Sequence, residues 1–549
     1  MVNIKWGMEI PIRDGVRLAA DLFFPNERVE SAPVIVVRTP YGRQTNALVE
    51  QARYFATCGY AVLNVDVRGR GDSEGEFVPY RNEGKDGYDT VEWAAAQPWC
   101  SGAVGTLGAS YLAKAQWLCA LEKPPHLRAM IPLVSPSDPF VEWPTGVPQP
   151  PHLCWLFLTS GRMVQNIHAV DWAKVYEHLP LIHMDEAVGR SIPVWREECE
   201  HPYGDQWWEP VCYQNRFHDI DVPVLHISGW YDDQLVGTTI NYMGMMQHAP
   251  SEWVRKAQRL LIGPWPHQVN ASTKLGAIDF GWNSVIDLQA YERRFFDRWL
   301  KGMDNGADME DPVRIFVMGI NEWQSERAWP SMRADYQRWY LHSRGQAHNS
   351  SDDGMLSLEA PTAGEPPDTY VYNPHNPVPY IMKPTSEQIG GPDDYSQVHQ
   401  RDDVLVYTSA AMEDPLHIAG PITVELFAAS SAPDTDFMVQ LHDVWPNGFA
   451  QRLCDGMVRV RFRHGLDTPE LVRPGEVVQL TIDCWSTAHV FLPGHRIRLH
   501  VASSAFPKYD RNPNTGEDIA WAIRFQSAKQ TVYHHNKYPS ALILPVIRT

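Results

Sequence analysis

The chain has 549 residues, a hydrophobic share of 44% and a net charge of −19. That length exceeds what one hydrophobic core supports, so two or three domains are expected. The negative charge argues against nucleic acid or an anionic membrane surface as a partner. Eight cysteines are scattered without a C-x-x-C pair, which indicates neither a zinc site nor a disulfide scaffold. The start, MVNIKWGMEIPIRDG, has no apolar signal core, and no run approaches membrane-spanning length. A protein of the cytoplasm, with no membrane partner, is expected.

In chain order, Met8 to Pro11 and Val16 to Phe24 flank Arg13-Asp14-Gly15, a hairpin signal. Pro33 to Arg38 is a continuous apolar run, as a buried parallel strand requires, and Thr39-Pro40-Tyr41-Gly42-Arg43 follows as a loop. A helix is predicted near Leu48 to Thr57. Ala61 to Val67 is the next buried strand, with the loop Arg68-Gly69-Arg70-Gly71-Asp72-Ser73-Glu74-Gly75 after it. That loop lacks the Gly-Lys-Ser/Thr ending of a phosphate loop, and its arginines are expected to be paired internally. A helix over Asp86 to Ala96 precedes a short strand, Ala103 to Leu107, and a second helix, Tyr111 to Leu121. Arg128 to Val134 is one more strand. Strands alternating with helices imply a parallel sheet covered on both faces.

Between Ser135 and about Tyr213 the chain turns rich in Trp, Pro and His, which reads as a helical cap inserted over the strand ends. The α/β pattern resumes at Val222 to Ser228, continues at Arg259 to Ile262, and includes an amphipathic helix, Asp287 to Leu300, expected to bury Leu288, Tyr291, Phe295 and Trp299. After about Asp335 the texture is all-β. Met457 to Arg463 alternates Val458, Val460 and Phe462 against Arg459, Arg461 and Arg463, which predicts a polar outer face on an antiparallel jelly roll. The expected organisation is an α/β-hydrolase domain over 1–137 and 216–335, a cap over 138–215, and a jelly-roll sandwich over 336–549.

The chemistry centres on Gly108-Ala109-Ser110-Tyr111. A small residue two before a serine, between strand and helix, has the form of a nucleophile elbow, and the helix start sets free N–H groups beside the hydroxyl. The full G-x-S-x-G pattern is not met, because Leu112 stands at the second Gly, and a plain turn capping a helix is the bland alternative. A serine needs a histidine to take its proton and a carboxylate to orient that histidine. Asp232 follows the strand Val222–Ser228, and His267 follows the strand Arg259–Ile262, so the order Ser110, Asp232, His267 and the strand-end placement are those of an α/β-hydrolase triad. The aromatics Phe140, Trp143, Trp155, Trp230 and Tyr231, with Gln234, are candidates for the substrate pocket.

Arg13-Asp14-Gly15-Val16-Arg17-Leu18-Ala19, Thr39-Pro40-Tyr41, the run from Asp66 to Gly75, Gly108-Ala109-Ser110-Tyr111, Gly229-Trp230-Tyr231-Asp232 and Gly263-Pro264-Trp265-Pro266-His267 together resemble one family of serine hydrolases. It includes cocaine esterase, α-amino-acid ester hydrolases, glutaryl acylases and X-Pro dipeptidyl-peptidases. The resemblance implies Ser110 as nucleophile, Asp232 as triad acid, His267 as general base, and an oxyanion hole made by the Tyr41 hydroxyl and the Tyr111 N–H. It implies an ester as small-molecule substrate, no metal or organic cofactor, and a homodimer or larger assembly. One departure is Ala113, where the family usually has glycine. Relatives that cleave amino-acid esters place acids two and three positions after the triad acid; Gln234 and Leu235 stand there instead. Uncharged aryl or alkyl acyl esters are therefore expected, with X-Pro amides, amino-acid esters or amides as the alternatives, and a non-catalytic binding protein as the reading from another class.

Overall fold

The computed structural model describes residues 2–25, 29–201, 205–348, 353–385 and 389–548. The first sheet takes β1 (Asn3–Pro11), β2 (Arg17–Phe24), β3 (Ala32–Thr39), β4 (Ala61–Asp66), β5 (Cys100–Ala109), β6 (Leu127–Leu133), β7 (Leu225–Gly229) and β8 (Arg259–Gly263). A two-strand ribbon, β9 (Lys274–Leu275) and β10 (Ile278–Asp279), stands apart. The strands β11 (Val313–Val317) and β12 (Glu322–Glu326) complete the first sheet. Its order is β1-β2-β4-β3-β5-β6-β7-β8-β11-β12, parallel from β4 to β11 and antiparallel at both edges. The apolar runs of β3, β4, β7 and β8 are buried along almost their whole length because helices cover both faces.

The covering helices are α1 (Asn46–Thr57), α2 (Glu83–Ala95) and α3 (Tyr111–Leu121) in the first half. Four short helices, α4 (Pro150–Leu158), α5 (Trp172–Tyr176), α6 (Met184–Val188) and α7 (Pro193–Glu200), make the insertion. Then come α8 (Leu235–His248), α9 (Glu252–Lys256) and α10 (Leu288–Lys301). The α10 stripe is rotated from the sequence expectation. Phe295 is buried as expected, but Phe296, Leu300 and a carboxylate, Glu292, fill the rest, while Leu288, Tyr291 and Trp299 are half-buried. Gly302 ends the helix in the left-handed conformation a glycine cap supplies.

The second sheet holds β13 (Ala334–His342), β14 (Met355–Ser357), β15 (Asp368–Tyr372), β16 (Leu405–Ser409), β17 (Leu416–Ser430) and β18 (Asp436–Val444). It continues with β19 (Ala450–Arg459), β20 (Val478–Phe491), β21 (Arg496–Ala502), β22 (Ala528–Tyr533) and β23 (Ala541–Ile547). Its pairings are antiparallel apart from β14 with β16. The result is an all-β sandwich domain joined to an α/β-hydrolase domain. The predicted arginine face is wrong in one respect. β19 stops at Arg459, Val460–Phe462 forms a single helical turn, and Arg459 and Arg461 point inward. Arg459 is fully buried, held by Asp436 at 2.8 Å and Asp510 at 3.0 Å, and Arg461 by Asp434 at 2.7 Å. Val460 and Phe462 are buried as well, so the period-two pattern breaks at the turn and the segment has no polar outer face; buried carboxylates make the arginine positions interior too.

The insertion packs on turns and loops of the sandwich domain. Leu153, Trp172 and Trp195 share an apolar cluster with Phe462, Ile519 and Ala520. The two sheets also meet directly, where Met318 donates to Ala488 O and accepts from Val490 N. These contacts fix three bodies around the carboxyl ends of β5, β7 and β8.

Candidate active site

Ser110 joins β5 to α3 with φ +62° and ψ −123°, a conformation a non-glycine residue holds only at a cost of about 1–3 kcal/mol. Two neighbours hold it there. Its N–H donates to Leu133 O at 2.9 Å, tying the turn to the end of β6. Gly108 has φ +154°, and a Cβ there would lie 2.5 Å from Leu112 Cβ, so the turn excludes any larger residue. Tyr111 opens α3, so its N–H has no carbonyl one turn earlier to bond. Ala113, at the family's usual glycine, is fully buried without disturbing the helix.

The loops after β7 and β8 are knitted to each other. Trp230 N donates to Gly263 O at 2.9 Å, and Tyr231 N to Trp265 O at 3.0 Å. This brings His267 Nδ1 to 2.8 Å from Asp232 Oδ1. Asp232 also accepts from Ser228 Oγ at 2.7 Å and from Gln234 N at 3.2 Å, so its orientation is fixed on both oxygens. Asp233 Oδ1 lies 3.6 Å from the same ring nitrogen. Burial pushes the His267 imidazole down, but the Asp232 hydrogen bond and the charges of Asp232, Asp233 and Glu142 override it and hold the ring at about 9. Ser110 and His267 line one cavity, although no hydrogen bond joins them among the described contacts. Such links are commonly loose until substrate is bound.

Tyr41 sits in the loop after β3, its N–H on Thr39 Oγ1 at 3.0 Å. Its hydroxyl accepts from Trp155 Nε1 at 2.9 Å and has the Ser110 side chain as its other hydrogen-bonding neighbour. Burial raises the hydroxyl above its ordinary range, so it keeps its proton. The loop is anchored by Arg70. Of the arginines expected to be paired with acids, Arg68 is, to Asp86 at 2.7 Å and Asp14 at 2.8 Å. Arg70 is not. It donates to Pro40 O and to Thr159 O, both at 2.7 Å, and so clamps the Tyr41 loop to the end of α4, the helix that carries Trp155. Burial drops this guanidinium to about 10.

The cavity wall is shared by all three bodies. Of the predicted pocket residues, Trp143, Trp155 and Gln234 line it. Phe140, Trp230 and Tyr231 do not. Phe140 packs into a buried cluster with Trp208 and Val211. Trp230 donates its Nε1 to Phe316 O of β11 at 2.6 Å, within the first sheet, and Tyr231 accepts from Gln451 Nε2 of β19 at 3.0 Å, at the junction with the second sheet. Sequence reasoning missed Tyr80, Lys114, His152, Glu198, Trp207 and, from the sandwich domain, Ile389. Tyr80 stacks on Tyr111 at 4.3 Å and near-parallel to Trp155 at 6.1 Å, which makes an aromatic wall beside Ser110.

Four carboxylates face the cavity, each already engaged. Asp138 accepts from Tyr213 N and Gln214 N at 2.8 and 3.0 Å. Glu142 accepts from Ser137 N and Oγ at 2.7 and 2.9 Å, Glu198 meets His152 Nε2 at 2.9 Å, and Asp233 faces His267. Burial pushes Glu142 up to about 7 and Asp233 up to about 6. An oriented imidazole and a strained serine hydroxyl on one aromatic cavity, with the Tyr41 hydroxyl beside the serine, are groups that acyl transfer can use.

Comparison with known proteins agrees with this chemistry. Residues 14–269 match the family model described as X-Pro dipeptidyl-peptidase (S15 family), and residues 305–543 match the X-Pro dipeptidyl-peptidase C-terminal non-catalytic domain. The chain is 36% identical to a cocaine esterase of Rhodococcus sp. (strain MB1 Bresler), covering 100% of this chain and 99% of that one. Among solved structures, an aminopeptidase from a marine sediment Thaumarchaeota archaeon aligns with a TM-score of 0.87 at 26% identity, covering 100% of this chain and 97% of the other. An α-amino acid ester hydrolase aligns with the same TM-score and identity, covering 99% and 96%.

Proposed function

The chain belongs to the X-Pro dipeptidyl-peptidase (S15) family, and on that premise we propose that it is a serine esterase working through an acyl-Ser110 intermediate. The observation that carries this is the strained Ser110 opening onto the same cavity as a His267 imidazole oriented by Asp232. Ser110 Oγ attacks the ester carbonyl and its proton passes to His267 Nε2, while Asp232 stabilises the imidazolium. The oxyanion takes hydrogen bonds from the Tyr41 hydroxyl and the Tyr111 N–H. Because Trp155 N–H fills an acceptor position on the Tyr41 oxygen, the tyrosine proton is left to point at the oxyanion. Collapse expels the alcohol, which leaves with the proton from His267. Water then attacks the acyl-Ser110 carbonyl, His267 takes its proton and returns it to Ser110, and the carboxylic acid departs. A fluorophosphonate probe tests the reading: the adduct should be found on Ser110 and be absent from Ser110→Ala. An adduct on another serine, with Ser110→Ala fully active, sinks the assignment.

The acyl group is proposed to be uncharged, aryl or medium-chain alkyl. The wall near Ser110 is aromatic, which favours burial of an uncharged acyl group over that of an ammonium, and each cavity carboxylate already has a protein partner. One observation favours the second reading, an α-amino acyl group: Glu142 and Asp233 both face the cavity that His267 lines. Comparing kcat/KM for phenylacetate esters with the matching phenylglycine esters, at a pH where the amine is charged, separates the two. A clear advantage for phenylglycine overturns the first, and Asp233→Asn should then abolish that advantage.

A further inference from the structure

Three histidines meet in the interior of the sandwich domain, away from the catalytic cavity. His442 on β18 and His500 on β21 are diagonal neighbours on one face of an antiparallel pair, His500 opposite Gln440 and His442 opposite Arg498. His399 arrives from the single turn Val398–Gln400. All three are fully buried, and each offers a ring nitrogen within 4.8 Å of those of the other two. The His399 and His442 rings meet edge-on with centroids 4.6 Å apart, and the His442 and His500 rings run stacked at 6.0 Å.

Their nitrogens are unusually idle. Nε2 of His399 and both nitrogens of His442 and His500 have no hydrogen-bond partner among the described residues, and neither does Oε1 of Gln440 beside them. Buried polar atoms are nearly always satisfied, so five orphaned ring nitrogens in one place ask for a group that would use them. The rings are also in the form a metal binds. Burial holds His500 down at about 3 and His399 and His442 well below the ordinary range, so all three are neutral.

We infer that His399, His442 and His500 form a three-imidazole site for a late first-row divalent cation, zinc first, that staples the 398–400 turn to the sheet. Neutral nitrogen donors select metals of this class over calcium or magnesium. In a tetrahedral site with bonds of about 2.0–2.1 Å the nitrogens stand about 3.3 Å apart, and here they lie within 4.8 Å of one another before any ion draws them in. Gln440 Oε1 or water supplies the fourth ligand. The opposing force is charge. Arg498 Nη1 lies 3.3 Å from His399 Nδ1. Binding through His399 Nε2 puts the ring proton on Nδ1, so this guanidinium must turn away toward Thr408 Oγ1, which its Nε already holds at 2.9 Å. Arg452 and Arg401 add positive charge, and the nearby Asp455 is engaged by Arg452 and Lys508. The affinity is therefore expected to be micromolar, below that of a thiolate site.

The test is titration of chelator-stripped full-length protein with Zn²⁺, and with Co²⁺ for its visible spectrum. One equivalent should bind, Co²⁺ should show the bands of a tetrahedral nitrogen site, and zinc at a hundredfold excess over Kd should raise Tm by several degrees. His442→Gln and His500→Gln should weaken binding by about 100-fold or more, since losing even an outer partner of a ligand costs 10–100-fold. His267→Gln, in the other cluster of compatible spacing, should bind zinc like the parent chain. If the histidine variants do not fold, anomalous scattering at the zinc edge from soaked crystals of the parent chain locates the ion. Absence of stoichiometric uptake, an ion found at Asp232, Asp233 and His267, or unchanged affinity in His442→Gln overturns the inference.

Discussion

Replacing Tyr41 with phenylalanine tests the oxyanion hole at a single atom. The ring stays, and the hydroxyl that accepts from Trp155 Nε1 at 2.9 Å is removed. Losing one donor to a developing oxyanion costs about 10²–10³ in kcat, or roughly 3–4 kcal/mol of transition-state stabilisation. KM should change little, since the ground-state carbonyl makes a weaker bond. The same change leaves the Trp155 indole N–H without its partner, which should lower stability by about 1–3 kcal/mol. The two effects separate with Trp155→Phe, which keeps the Tyr41 hydroxyl and removes its donor together with part of the aromatic wall that Trp155 shares with Tyr80 and Tyr111. That variant should share the stability loss and lose no more than about tenfold in kcat. Steady-state kinetics on a p-nitrophenyl ester, with Tm from calorimetry, reads both. A Tyr41→Phe enzyme that folds and keeps kcat within about threefold of the parent refutes the donor role, and another group must complete the hole.

Ser110→Ala and His267→Ala should each abolish turnover with the fold intact, and the double variant should be little worse than either, because the groups act as a unit; additive losses would argue for separate roles. His267 is a base only when neutral, and it is held at about 9, so kcat/KM should rise with pH up to about 9. Asp233→Asn removes one of the charges that raise it and should move that rising limb to lower pH; an unmoved limb places Asp233 outside the electrostatics of the base. Burial alone raises Glu292 from 4.5 to about 8, so the folded chain holds a proton the unfolded chain has lost, and stability falls as pH climbs between those values. Glu292→Gln should remove that slope, with a gain of up to about 4 kcal/mol at pH 8 and little near pH 4.5; equal Tm changes at both pH values would show the carboxylate is not the cause.

The parts of the site that follow chain order were legible. Ser110, Asp232 and His267 each sit in a loop after a strand, and strands declare themselves by continuous apolar runs. What escaped was whatever depends on one body docking on another. Tyr41 and Trp155 are far apart in sequence, and only the folded insertion makes the tryptophan a hydrogen-bond donor as well as a pocket aromatic. Trp230 and Tyr231 directly precede Asp232, yet β11 of the first sheet takes the indole N–H and the second sheet takes the phenol oxygen. Arg459 and Arg461 look like surface positions until Asp434, Asp436 and Asp510 arrive from elsewhere in the fold to make them interior. His399, His442 and His500 carry no spacing signature, because strand pairing rather than sequence spacing brings them together.

The Arg70 clamp bears on how this enzyme can diversify. One guanidinium grips both the loop that carries Tyr41 and the end of the helix that carries Trp155. Substrate range in such a scaffold would ordinarily be altered by remodelling the insertion and leaving the catalytic loops alone. Here Arg70 ties α4 of the insertion to the loop that carries Tyr41, so substitutions on α4 that reshape the pocket should also shift Tyr41. Variants selected there for new acyl groups should trade turnover for range, whereas changes at Ile389, which the sandwich domain contributes to the wall, should leave the clamp untouched. The route open to drift is the side of the cavity that Arg70 does not hold.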